Sequence, residues 1–215
     1  RAIARLGQLK LLRFLHSRLR YTPSVKRTVT AVPEAVAWWV RRFSDSVIDR
    51  PTIFLMALSS ESSPAVIATM IQRLALSREQ AKRVRSGGSL VNRALKWLAQ
   101  KRTIRPSQIY RLLEGYSDEA LVLLLAKQVS RRQRVGLSLL KRHLVVYMKN
   151  KAAKTALTGR DLQAMGLQSG PQFKTILEKL LDARIDGMVT TEAGERVLAH
   201  RLIKKAALFF VRSER

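Results

Sequence analysis

The chain of 215 residues contains no cysteine. That absence excludes disulfides, thiolate zinc sites, iron–sulfur clusters and cysteine nucleophiles together. Histidine is scarce as well: His16, His143 and His200 lie far apart, and none has a second histidine or a carboxylate at helical metal-ligand spacing, so no metal site is expected. Long apolar runs are missing; the best, Ala120 to Ala126, is far shorter than the ~18 residues a membrane span needs. There is no low-complexity tract and no convincing internal repeat. The chain is therefore expected to be soluble and cytoplasmic, without a membrane partner. Acidic residues are few, 15 against 41 Lys plus Arg.

What is present is apolar content and positive charge. Hydrophobic residues make up 47% of the chain, enough to offset the entropy of ordering, so a disordered basic tail is excluded. The net charge of +26 is spread evenly, at +8, +5, +8 and +5 over residues 1–50, 51–100, 101–150 and 151–215. A folded surface thus carries the field. Phosphate backbones are the usual partners of such a field, which makes nucleic acid the leading partner class. An anionic membrane is the competitor, but the amphipathic helices are needed for a core. The densest basic clusters are Arg78, Lys82, Arg83 and Arg85; Arg131, Arg132, Arg134, Lys141 and Arg142; and Lys149, Lys151 and Lys154. Each has the alternative reading of a solvated helix face.

Periodicity reads almost entirely as helix, with few alternating segments and no Asn-Gly hairpins. Leu6, Leu9, Leu12, Leu15 and Leu19 predict a helix over residues 2–20. They continue into folded-looking sequence, which argues against a transit peptide. A second helix over Val25 to Phe43 is expected to be interrupted near Pro33, with Trp38 and Trp39 in the core rather than stacked on bases. Helices follow from Pro51, from Pro64 and from Ser77, whose hydroxyl and Gln80 form a capping pattern. Gly87-Gly88 reads as a break before a helix over Leu90 to Ala99. Ser107 is expected to cap a helix ended by Gly115, and Ser117 with Asp118 to open the apolar helix of Leu121 to Val129. A further helix carries Leu137, Leu140, Leu144 and Tyr147. Composition shifts near Asn150 to Ala156. The expected fold is all-α: a multi-helix body over residues 1–150 and a smaller helical tail over 151–215. The sequence starts at Arg1 and its first methionine is Met56, so it reads as part of a longer protein.

The most informative run is Leu157-Thr-Gly-Arg-Asp161-Leu-Gln-Ala-Met-Gly166-Leu-Gln-Ser-Gly170-Pro171-Gln-Phe-Lys-Thr-Ile-Leu. Thr158 or Gly159 precedes a short helix to Met165, Gly166 supplies a left-handed stop, and Pro171 suits the first turn of a second helix. That helix is expected to bury Phe173, Ile176, Leu177, Leu180 and Leu181 and to show Lys174, Lys179 and Arg184 to solvent. Its N-terminus offers amides to a phosphate. Asp161 reads as a first-turn charge that stabilises its helix, not as a catalytic acid.

This run, with Ala183-Arg-Ile-Asp186-Gly187 and then Thr190, Thr191 and Glu192, resembles the C-terminal region of the bacterial tRNA nucleotidyltransferase and poly(A) polymerase family. Ala2-Ile3-Ala4-Arg5-Leu6 and Leu11-Leu12-Arg13-Phe14-Leu15-His16 are similar to the start of that family's helical body. The resemblance implies a division of labour. A separate head holds two metal ions on paired carboxylates, a neck reads the incoming nucleotide, and body and tail grip the acceptor and T arms of tRNA. Gly87-Gly88-Ser89 imitates the first half of the head's signature, but the next acidic residue is Glu114, too far on for the required Asp-x-Asp. The neck's Glu-Asp-x-x-Arg pattern is missing too. The resemblance therefore implies body plus tail, with no nucleotidyl transfer by this chain alone. No cofactor is expected in it, since Mg2+ and CTP or ATP belong to the head.

Double-helical RNA is held through phosphates, 2′-hydroxyls and shape. The residues expected to make those contacts are Arg131, Arg132, Arg134, Lys141, Arg142, Lys149, Lys151 and Lys154, together with Arg160, Gly170 and Lys174 at the helix starts of the tail motif. The partner is tRNA or another structured RNA. A structural RNA-binding protein of a ribonucleoprotein, derived from the same family without a head, is the alternative, and the strong basic excess favours it. A DNA-binding helix-turn-helix regulator fits less well, because the helices before Leu157 form too large a body.

Overall fold

The computed structural model describes residues 5, 11–100, 104–167 and 170–213, with side chains described up to Leu98 in the helix that ends at Gln100 and up to Lys205 in the last helix. Among the described residues there are ten α-helices and no strand. After a 3-10 turn at Leu11–Phe14 come α1 (Pro23–Arg42), α2 (Arg50–Ser59), α3 (Pro64–Arg73), α4 (Arg78–Gln100), α5 (Pro106–Leu113), α6 (Asp118–Ser130), α7 (Arg134–Asn150), α8 (Gly159–Ala164), α9 (Pro171–Ile185) and α10 (Glu192–Ser213). The all-α expectation therefore holds. None of the described helices is long and apolar enough to cross a membrane. The chain divides into two compact units, Arg1–Arg102 with Gly115–Leu144, and Thr103–Glu114 with Val145–Arg215. The division lies inside α7, six residues before the expected junction, and α5 goes with the second unit.

The first unit is built around α6. Leu121 to Ala126 are completely buried, because a helix apolar on every side must be covered on every side. It is covered by α1, α2 and α4. Ser117 opens α6 by accepting from the Ala120 amide, and Gly115, at φ +82°, makes the preceding left-handed turn. Polar links fix the neighbours. Trp39, fully buried, donates from Nε1 to Ser46 Oγ, which donates to Asp118 Oδ2. Buried Glu119 accepts from the Asp49 amide and from Arg83, at 2.9 Å. The core reading of Trp39 is correct, while Trp38 is only half-buried.

Three local expectations fail here. Of the predicted 2–20 helix, Arg5 is helical, Leu11–Phe14 form a 3-10 turn and residues 15–20 are not helical, so the helix does not run to residue 20; residues 1–4 and 6–10 lie outside the described set. His16 Nδ1 accepts from the Arg18 amide, a local bond that competes with helix continuation. Pro33 does not interrupt α1 but sits exposed within it. Its cost of about 3 kcal/mol is outweighed by a buried face of eight residues from Val25 to Trp39. Gly87 and Gly88 do not break α4 either. A Cβ at Gly87 would run into the Met56 side chain, and one at Gly88 would lie 3.4 Å from the Ser60 backbone. The two glycines are where α2 and α4 touch.

The second unit packs α9 against α5, α8 and α10. Leu157, Leu162, Leu167, Ile176, Leu180 and Ala199 form its core, with Phe173 and Leu177 packed on it. Thr158 and Asp161 form the capping box of α8: Asp161 Oδ2 accepts from the Thr158 amide at 2.8 Å and its hydroxyl at 2.7 Å. Gly166 stops α8 at φ +88°, as expected. Ser107 does not cap α5. Its amide and hydroxyl both donate to Asp186, at 2.8 Å each, so the start of α5 is held by a carboxylate 79 residues away. Arg184 is not left to solvent as expected; its guanidinium pairs with Glu195, which is completely buried and also accepts from the Ala156 and Leu157 amides.

Candidate nucleic-acid interface

The basic residues predicted from the sequence are distributed over both units, and each unit presents its own set. In the first, Arg131 and Arg132 occupy the turn between α6 and α7 and are exposed. The turn follows from an αR residue at Arg131 and a left-handed one at Arg132, φ +56°. A left-handed Arg costs roughly 1–2 kcal/mol that Gly or Asn would avoid.

This turn forms one wall of a cleft of about 940 Å³. The first two turns of α1 contribute Ser24, Arg27 and Thr28; α4 contributes Asn92; the end of α6 contributes Lys127 and Ser130; and Glu61 lines it as well. Lys127 donates to Asn92 Oδ1 at 2.9 Å. Burial holds the Lys127 ammonium below its ordinary pKa; Glu61 opposes the shift and Arg131 adds to it. The Glu61 carboxyl is held below its usual range by a hydrogen bond from Ser24, against its burial, with further help from Thr22 and from the charges of Lys127 and Arg27. Four cations thus face one carboxylate, and the last carbonyls of α6 lie beside Lys127 and Arg131. A second cleft of about 490 Å³ shares Arg27, Ser130 and Arg132 and adds Lys26. Neither contains an aromatic side chain, so the chemistry on offer is charge and hydrogen bonding to phosphate, not base stacking.

Of the other predicted residues in this unit, Arg134 is exposed at the start of α7 and Arg142 further along it. Lys141 is half-buried with its ammonium 5.5 Å from the centre of the Trp38 ring, a cation–π contact that occupies part of its charge. In the second unit Lys149, Lys151 and Lys154 are exposed between the end of α7 and α8. Arg160 is exposed in the first turn of α8. Gly170 is the exposed N-cap of α9, with an extended backbone and nothing within 4 Å of where a Cβ would lie. Lys174 is 84% exposed, 4.0 Å from Glu178.

Sequence reasoning therefore found Arg131 and Arg132 but not the residues that complete their cleft. Arg27 sits with Lys26 at the start of an amphipathic helix, a pair too short to stand out as a cluster, and Lys127 is the one cation of an apolar helix. The sole signal was Lys127 itself, one cation ending a run of buried leucines and alanines.

No protein-family model matches the chain. Among curated proteins, the A-adding tRNA nucleotidyltransferase of Geobacter sulfurreducens is 30% identical over 210 residues, which is 96% of this chain and 23% of that protein. Among solved structures, the Thermotoga maritima CCA-adding enzyme complexed with tRNA superposes with a TM-score of 0.72 at 22% identity, over 95% of this chain and 47% of that one. A CCA-adding enzyme with CTP gives 0.70 at 21% identity, over 95% and 46%. The chain thus spans about a quarter of the curated relative and less than half of these structures.

Proposed function

Because the chain is a relative of the tRNA nucleotidyltransferases and has the helical fold of their body and tail, we propose that it is the RNA-holding portion of such an enzyme, gripping the acceptor and T arms of tRNA. The observation that carries this reading is the cleft of Arg27, Lys127, Arg131 and Arg132, where one half-buried and three exposed cations, one of them held in a left-handed turn, converge without stacking groups. That chemistry suits the phosphates and 2′-hydroxyls of an A-form stem. Arg134, Lys141 and Arg142 on α7 extend the contact surface of the first unit. Lys149, Lys151, Lys154, Arg160, Gly170 and Lys174 supply that of the second. Nucleotidyl transfer, with its Mg2+ and CTP or ATP, belongs to a head outside this sequence.

The net charge of +26 favours a second reading, a structural RNA-binding protein of a ribonucleoprotein particle. Binding to an acceptor-T-arm minihelix, an unrelated RNA hairpin and duplex DNA of equal charge, across a salt series, separates the two. A preference for the minihelix that persists at high salt supports the tRNA-holding portion. Affinities that fall together for all three support simple counterion release and the structural role.

A further inference from the structure

The exposed face of α4 carries Arg78, Lys82, Arg85, Arg93 and Lys96, all exposed, in one line with Ser89 and Asn92. Spacings of three and four residues keep these positions on one side of a helix. The opposite side, Ala81, Val84, Gly87, Val91, Ala94 and Leu95, is buried. The line stays straight because Gly87 and Gly88 fit against Met56 and Ser60, so that the helix continues where the sequence alone suggests a break. From Arg78 to Lys96 it extends about 27 Å at the α-helical rise. Among the described residues no carboxylate forms an ion pair with Arg78, Lys82, Arg85 or Lys96. Arg93 lends a hydrogen bond to Tyr116 and remains exposed.

We infer that this face of α4 is a rail for the sugar-phosphate backbone of one RNA strand, leading through Asn92 into the cleft of Lys127 and Arg131. The inference rests on the RNA-holding reading above and extends it to a face outside the cleft. Its length excludes a compact anion, which would reach two neighbouring cations at most. Its composition excludes a lipid surface, because the residues between the cations are Ser89 and Asn92 and not the apolar anchors that membrane helices use. With no aromatic on the line, it reads charge and not base identity. Asn92 joins rail and cleft physically: it lines the cleft and accepts from Lys127.

The test compares two triple variants of the full chain in the minihelix salt series. One neutralises the rail, Lys82→Gln, Arg85→Gln and Lys96→Gln; the other removes equal charge from exposed positions elsewhere, Arg41→Gln, Arg50→Gln and Lys204→Gln. Loss of three phosphate contacts lowers the slope of log affinity on log salt by about 2 and weakens binding on the order of a hundredfold at 0.1 M salt. The control set lowers the slope by less than half of one, and thermal unfolding confirms that both variants fold. Equal effects of the two sets, or no effect of the rail set, overturn the rail even where the unsubstituted chain prefers the minihelix. A rail effect without that preference leaves the rail standing and removes the tRNA-holding reading. Absence of any RNA binding removes both.

Discussion

Removing Arg184 should damage the second unit more than removing the carboxylate it serves. Glu195 is completely buried, and its carboxylate has three donors: the Arg184 guanidinium and the amides of Ala156 and Leu157. Arg184→Leu leaves a buried anion with only the two amides. Breaking a buried pair in this way costs about 3–5 kcal/mol, and the lower end applies because the arginine side chain is 35% exposed. Glu195→Gln keeps an oxygen for the two amides and leaves a cation that water reaches. Its cost is about 1 kcal/mol, the net value of one hydrogen bond. The double variant should be more stable than Arg184→Leu alone, because the neutral amide no longer needs a cation. Urea unfolding of the four proteins, read by far-UV circular dichroism, gives the cycle. Equal costs for the two single variants, or strict additivity in the double, would refute the assignment of Glu195 as a buried charge held by Arg184.

Three further outcomes are expected. Gly87→Ala should cost about 1–3 kcal/mol from overpacking against Met56, partly offset by about 1 kcal/mol of helix propensity, and Met56→Ala in the same chain should relieve it; thermal unfolding checks both. The Thr158 amide and hydroxyl hold the Asp161 carboxyl below its ordinary pKa. Its contribution is therefore present above the unfolded value, near pH 4, and is lost as pH falls through the folded value, so Asp161→Asn should flatten that part of the acid limb of a stability profile. Burial, helped by the charge of Arg142, holds His143 below its ordinary pKa, and its Nε2 has no hydrogen-bond partner. The unfolded chain takes up that proton first as pH falls below about 6.5, so stability should decline there and His143→Leu should remove the decline; unfolding midpoints between pH 5 and 8 measure it.

The elements whose signals are local were readable from the chain. Ser117, Ser77 with Gln80, Gly115, Gly166 and Pro171 each mark a helix end through bonds or dihedrals that involve near neighbours only. The tail motif was legible for the same reason, since the Thr158–Asp161 box spans three residues. Misreadings arose where a distant residue decided the outcome. Gly87-Gly88 reads as a break until α2 is seen to lie against it. Ser107 has a capping residue's chemistry, but Asp186 recruits its hydroxyl from another helix. Half of the cleft was readable, because Arg131 and Arg132 are adjacent. Arg27 and Lys127 stand 100 positions apart, and no local periodicity relates them.

The sequence by itself determined the helical class, the positive surface and the family resemblance. Those follow from residue spacing, from charges too numerous to be hidden, and from a short motif whose bonds are local. Tertiary structure alone decided which cations act together and whether α4 is one helix or two. Those outcomes depend on what lies across an interface: the Met56 side chain and Ser60 backbone beside two glycines, and the end of α6 beside the start of α1. Packing between elements far apart in the chain fixes both, and no window of neighbouring residues contains it.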